Sequence, residues 1–182
     1  MNVMDAIRGR RSIRFYSKER PSEGILQQLY EAVSWAPSWA NTQCWELIVV
    51  RDRAIKMQIA DTLSKGNPAR QGVIDAPITM VFLGIKGKSG FMKGEPCTDK
   101  GDWYMFDIGL AVENLCLAAY SMGLGSVIVG YFDAARAGEI LNVPRDREVV
   151  AVIPIGVPGK TPAAPKRKEV TEFVFHDKYG EP

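Results

Sequence analysis

Two short segments hold the residue types that could do chemistry. The first is Arg10-Arg11-Ser12-Ile13-Arg14. Guanidinium groups give planar, charge-assisted hydrogen bonds to phosphate, and a serine hydroxyl adds a compact donor. Taken alone, five such residues more often form a solvated helix end that answers the helix dipole. The second is the run from Ala36 to Trp45, which sets Ser38, Asn41 and Gln43 between Trp39 and Trp45 with few charges nearby. Uncharged donors and acceptors beside indoles can hold the edge of a heteroaromatic ring and shield it from water. The bland alternative is a helix C-cap with aromatic plugs, but three hydrogen-bonding residues in six positions exceed what a cap needs.

Charge placement supports a local anion site. Arg8, Arg10, Arg11, Arg14, Lys18 and Arg20 crowd the first twenty residues, and Lys160, Lys166, Arg167 and Lys168 form a second cluster near the C-terminus. The formal net charge is only +2, too small for a nucleic-acid-binding face. Cys44, Cys97 and Cys116 make no CxxC pair and leave an odd count, which argues against a disulfide framework or zinc knuckle and suits a reducing cytoplasm. The N-terminus has no apolar signal region. The uncharged run from Asn114 to Phe132 is broken by Gly123 and Gly125, so it reads as helix, turn and strand rather than a membrane span.

Other signals fail. Gly123 and Gly125 precede a strand instead of following one, against a dinucleotide fold. The sole histidine, His176, has no nucleophile motif near it and reads as a surface or packing residue. Asp107 and Glu113 read as ordinary polar positions on a helix.

The elements that must position these residues follow from periodicity. Helices are predicted over Val3 to Arg8, Ser22 to Trp35 with Ser22 as N-cap, Ala54 to Lys65, Trp103 to Met122 and Ala134 to Leu141. Strands are predicted over Glu46 to Val50, Pro77 to Ile85, Ser126 to Val129 and Val149 to Ile155. Lys86 to Asp102, rich in glycine and lysine, reads as a mobile surface excursion. The helix from Trp103 is apolar on more than one side, as expected for a central or interface position. After Gly156 come Pro158, Pro162 and Pro165, then an extended piece over Glu172 to Phe175 that has no partner strand in sequence and could pack on another subunit. The 182 residues fit one domain, 1–182, and the irregular mix of helices and strands favours α+β.

Arg10-Arg11-Ser12-Ile13-Arg14 followed by Ala36-Pro37-Ser38-x-x-Asn41-x-Gln43-x-Trp45 resembles the nitroreductase family of FMN-dependent oxidoreductases. The apolar helix, the Gly123-Leu-Gly125 turn, Ile128-Val129-Gly130 and the basic Lys166-Arg167-Lys168 extend the resemblance over nearly the whole chain. It implies a central, mostly antiparallel sheet flanked by helices, in an intertwined homodimer with two FMN sites at the interface.

By position, Arg10 and Ser12 would hold the phosphate, with Arg11 and Arg14 near the ribityl chain or pyrimidine edge. Pro37, Ser38, Asn41 and Gln43 would come from the partner subunit. Asn67 and Arg70 would face the pyrimidine ring, the Ile128 to Gly130 backbone would pass the flavin N5, and one of Lys166, Arg167 or Lys168 would complete the phosphate site. The implied activity is ping-pong, two-electron transfer from NADH or NADPH to a nitro compound, quinone or similar acceptor, with no side chain needed as general acid. An FMN carrier or sensor, or the same fold with another flavin reaction such as dehalogenation, is the alternative. The family loop often has proline where this chain has Cys44, read here as a small buried packing residue.

Overall fold

A computed structural model describes residues 1–180. Helix α1 (Val3–Gly9) begins on a reciprocal cap in which Asn2 accepts the Asp5 N–H and Asp5 accepts the Asn2 N–H. Helix α2 (Glu23–Ser34) starts at Ser22, whose hydroxyl accepts the Ile25 N–H, and buries Leu26, Leu29 and Val33 along one stripe. Strand β1 (Trp45–Val50) follows, then α3 (Arg53–Ala60), α4 (Arg70–Asp75) and β2 (Ile78–Ile85). A two-stranded hairpin, β3 (Phe91–Met92) with β4 (Glu95–Pro96), precedes the long helix α5 (Tyr104–Ser121). Strand β5 (Gly125–Ser126), helix α6 (Ala134–Ile140) and strand β6 (Arg147–Gly156) complete the body.

The main sheet runs β1-β2-β6-β5, with each neighbouring pair antiparallel. Side chains alternate across it. Met80 and Phe82 of β2, with Ile153 and Ile155 of β6, pack against α2 and α5. Val81 and Leu83, with Val149 and Val152, face the opposite layer, to which α3, α4 and α6 contribute Ile59, Val73 and Ala137. Because both faces are covered, β2 is apolar along nearly all its length, with Thr79 donating its hydroxyl to the Val73 carbonyl, and this pattern makes it legible as a strand. Strand β1 is an edge strand and only half-buried along most of its length.

Several expectations shift. The polar helix expected to run to Lys65 stops at Ala60, where the Thr62 hydroxyl donates to the Ile59 carbonyl and Leu63 turns to bridge Phe132. The strand expected over Ser126 to Val129 is two pieces, β5 and a single bridge from Val129 to Val152. The extended piece expected over Glu172 to Phe175 is not formed. Val170–Glu172 is a 3-10 turn, closed by Glu172 accepting the Glu169 N–H at 2.7 Å. The excursion contains the β3–β4 hairpin and is tied down at Ser89, which is fully buried.

Candidate functional site

The arginine segment leaves α1 and runs beside β5. Ile13 donates its N–H to the Ser126 carbonyl at 2.9 Å, and Ser12 bridges Ser126 in a parallel sense. The Tyr16 hydroxyl holds the far end, shared between the Ile13 carbonyl at 2.6 Å and the Pro154 carbonyl at 2.9 Å. Burial keeps this phenol protonated far above its ordinary range. Two glycines make the close passage fit. A Cβ on Gly125 would lie 2.5 Å from the Ile13 side chain, and one on Gly72 would lie 2.6 Å from the Arg14 carbonyl oxygen.

The arginines do different things. Arg11 donates through one Nη1 to the Arg8 carbonyl at 2.6 Å and the Arg10 carbonyl at 2.8 Å, so it closes the C-terminal end of α1. Arg10 places its Nε 3.9 Å from the Glu113 carboxylate and, with Arg11, lines a crevice of about 40 Å³ whose other walls include Tyr120, Ser126 and Thr161. Arg14 turns the other way.

Arg14 opens onto a cleft of about 360 Å³, whose walls include Asn67, Ala69, Ile128, Val129, Gly130 and Tyr131. Its Nη1 reaches the Ser12 carbonyl at 3.3 Å, while its buried Nε has no protein partner. Val129, a wall of the cleft, exchanges both backbone bonds with Val152 at 3.0 Å. In an antiparallel bridge that reciprocity turns the backbone groups of the flanking residues, Ile128 and Gly130, away from β6. Asn67 is fixed in place, accepting the Ala69 N–H at 3.0 Å and donating to the Tyr131 carbonyl at 3.4 Å. Arg70 is not a wall of the cleft: its guanidinium binds the Ala60 carbonyl and the Asp61 carboxylate.

Pro37, Ser38, Asn41 and Gln43 sit on the loop between α2 and β1, and none lines the cleft of its own chain. The loop carries three non-glycine residues with left-handed backbone, Ala40 (φ 42°), Asn41 (φ 54°) and Gln43 (φ 45°). Inside it, Ser38 accepts the Gln43 N–H at 2.9 Å and Gln43 donates to Asn41 at 3.2 Å. Its outer anchor is Asp107, read from sequence as an ordinary polar position but buried on α5 and facing the loop. No charge pattern in sequence marks it. Cys44 is buried as expected. Its burial, with the Asp107 carboxylate beside it, pushes the thiol up to about 11, so it stays protonated at neutral pH.

Lys166, Arg167 and Lys168 lie on an exposed segment without regular structure and line neither the crevice nor the cleft. Every residue from 159 to 180 is exposed, Phe173 and Tyr179 among them.

A four-stranded antiparallel sheet with helices on both faces defines an α+β fold, and a cleft opens where the N-terminal arginine segment meets the chain after β5. The family model described as the nitroreductase family matches residues 7–73 and 64–157, and the chain belongs to that family. A proposed NADH dehydrogenase/NAD(P)H nitroreductase of Archaeoglobus fulgidus is 30% identical over 82% of this chain and 81% of its own length. A protein of the same description from Methanothermobacter thermautotrophicus is 29% identical over 89% and 80%. The crystal structure of a nitroreductase family protein from Clostridium novyi NT superposes with a TM-score of 0.79 at 27% identity, covering 100% of this chain and 96% of that one. Among the described residues no helix is long and apolar enough to cross a membrane.

Proposed function

We propose that this protein is an FMN-dependent oxidoreductase that takes electrons from NADH or NADPH and delivers them in pairs to a small nitroaromatic or quinone-like acceptor, working as a homodimer. The observation that carries the reading is the convergence of Arg14, Asn67 and the Ile128 to Gly130 backbone on one cleft in a nitroreductase-family chain. The residues fit the cofactor. The unpartnered Nε of Arg14 is a charged donor with nothing in the protein to bind, and the turned-out backbone of Ile128 and Gly130 suits the edge of a heteroaromatic ring.

When bound, FMN supplies the two-electron chemistry at its ring. The chain's own residues bind, orient and tune. Arg14 would set a fixed positive charge beside the flavin ring, where it would favour the negative charge that reduction brings. Arg70 shares that task only if it leaves Asp61, which makes Arg14 the principal cation. Arg10 and Ser12, with one of Lys166, Arg167 or Lys168, would hold the phosphate, and Arg11 stiffens the turn that carries Arg10 and Ser12. Asn67 lines the same cleft as Arg14.

The remaining contacts require a second copy. Pro37, Ser38, Asn41 and Gln43 serve the partner's cleft, which explains why their own chain leaves them outside it. The exposed residues 159–180 and the exposed apolar side chains Met4 and Ile7 on α1, with Met105 and Phe106 on α5, supply the contact surface. Free Cys44, Cys97 and Cys116 suit a reducing cytoplasm. Chromatography of the cofactor released on denaturation tests the reading: FMN is expected, and FAD, or no flavin after reconstitution, contradicts it.

A further inference from the structure

The carboxylate of Asp107 is 1% exposed, and among the described residues no cation pairs with it. A buried carboxylate without a cation is costly unless donors surround it. Here the donors come from three places. The Trp39 N–H lies 3.1 Å from both oxygens, the Ser89 hydroxyl donates at 2.6 Å, and the Cys44 thiol donates at 3.4 Å. Trp39 and Cys44 bracket Ala40 to Gln43, the part of the loop that holds the three left-handed residues. Ser89 belongs to the excursion before α5. Trp103, the residue between that excursion and α5, also packs on Trp39 with ring centroids 5.3 Å apart.

Backbone in the left-handed region persists only where its surroundings hold it. The 3-10 turn Trp39–Asn41 has no side-chain cap from Ser38, and Asp107 supplies the missing negative charge at its first N–H. The thiol of Cys44, where the family loop often has proline, gives this chain a hydrogen bond that proline could not make.

We propose that Asp107 is a positioning residue for the flavin site. It clamps both ends of the segment that presents Asn41 and Gln43 and, through Ser89, locks that segment to the 86–102 excursion. The proposal rests on the reading that this loop contacts the partner's FMN. It adds a determinant of that contact that lies outside the arginine segment and the cleft. Loosening the clamp frees the loop without touching Arg10, Ser12 or Arg14.

The test compares the parent dimer with Asp107→Ala, Asp107→Asn, Ser89→Ala and, as a packing control on the same helix, Ile108→Ala. Three quantities are read: amide hydrogen exchange over residues 37–44 and 86–98, the FMN dissociation constant, and the visible circular dichroism of bound FMN. Asp107→Ala is expected to speed exchange in both segments, leave exchange at residues 115–121 unchanged, weaken FMN by about tenfold or more, and alter the flavin dichroism. Asp107→Asn, which keeps an acceptor for the Trp39 N–H, should recover part of each loss. Ser89→Ala should free mainly the excursion. Ile108→Ala should lower the melting temperature with loop exchange and dichroism unchanged.

Parent-like exchange and FMN affinity in Asp107→Ala overturn the proposal, as does a loss no larger than that of Ile108→Ala at equal loss of melting temperature. If Asp107→Ala does not fold, the same comparison is made on Asp107→Asn and Ser89→Ala. A parent that takes up no FMN overturns the flavin reading instead, and loop exchange in apo-protein then decides for or against the clamp.

Discussion

Ile13 donates its backbone N–H to the Ser126 carbonyl, joining the arginine segment at the start of the chain to the strand that follows the long helix. This bond fixes where Arg10 and Arg14 diverge, one toward the crevice and the other toward the cleft. Gly125 and Gly72 permit the approach, because a side chain at either would strike Ile13 or the Arg14 carbonyl. Gly72→Ala should therefore push the Arg14 backbone outward. We expect a stability loss of roughly 1–3 kcal/mol, typical of forced overpacking, with weaker FMN retention. Thermal melts and FMN titration of the variant check this.

Arg10→Ala and Ser12→Ala should weaken FMN retention with the fold intact, by roughly 1–3 kcal/mol for each lost bond to a charged group. Arg14→Ala should act differently: the flavin stays bound, its two-electron potential falls and its reduction by nicotinamide slows. Fluorescence titration and potentiometry separate the two classes. Unchanged FMN affinity in both Arg10→Ala and Ser12→Ala would return the arginine segment to a solvated helix end.

Truncation after Gly159 should convert the dimer to monomer and lower FMN content. Light scattering coupled to size-exclusion chromatography reads both. A folded, flavin-loaded monomer of the full chain at low concentration would contradict the shared site.

Cysteine chemistry should divide by burial. Iodoacetamide at mildly alkaline pH should label exposed Cys97 and spare Cys44 and Cys116, whose thiols burial pushes up to about 11. Both are raised from an ordinary 9.0, so the unfolded chain loses these protons first. Their contribution is complete below about pH 9 and is lost as pH rises toward 11, giving a declining alkaline limb that Cys44→Ala or Cys116→Ala should flatten. Melting temperature against pH checks the sign.

The sequence was most informative where one rule acts alone. Ser22 announced α2 because a cap is local, and Ile78 to Leu83 announced β2 because both its faces are buried. The family pattern names Arg14 and Ile128 as candidates for one site, and both line the same cleft. Helix α4 was missed because its six residues are too few for a periodicity to emerge, and the strand expected after Ser126 was overlong because Val129 pairs through one bridge only. Asp107 was invisible for a different reason. Its partners lie 63 and 68 positions away for Cys44 and Trp39, and a buried carboxylate satisfied by distant donors leaves no local signature.

The most direct test of the central claim is anaerobic stopped-flow mixing of the FMN-loaded protein with NADH and, separately, NADPH, followed at the visible flavin band. The account predicts rapid bleaching by at least one nicotinamide and recovery of the oxidised spectrum when a quinone or nitroaromatic is then added. A bound flavin that stays oxidised with both donors would contradict it and leave a flavin-binding protein without turnover of its own.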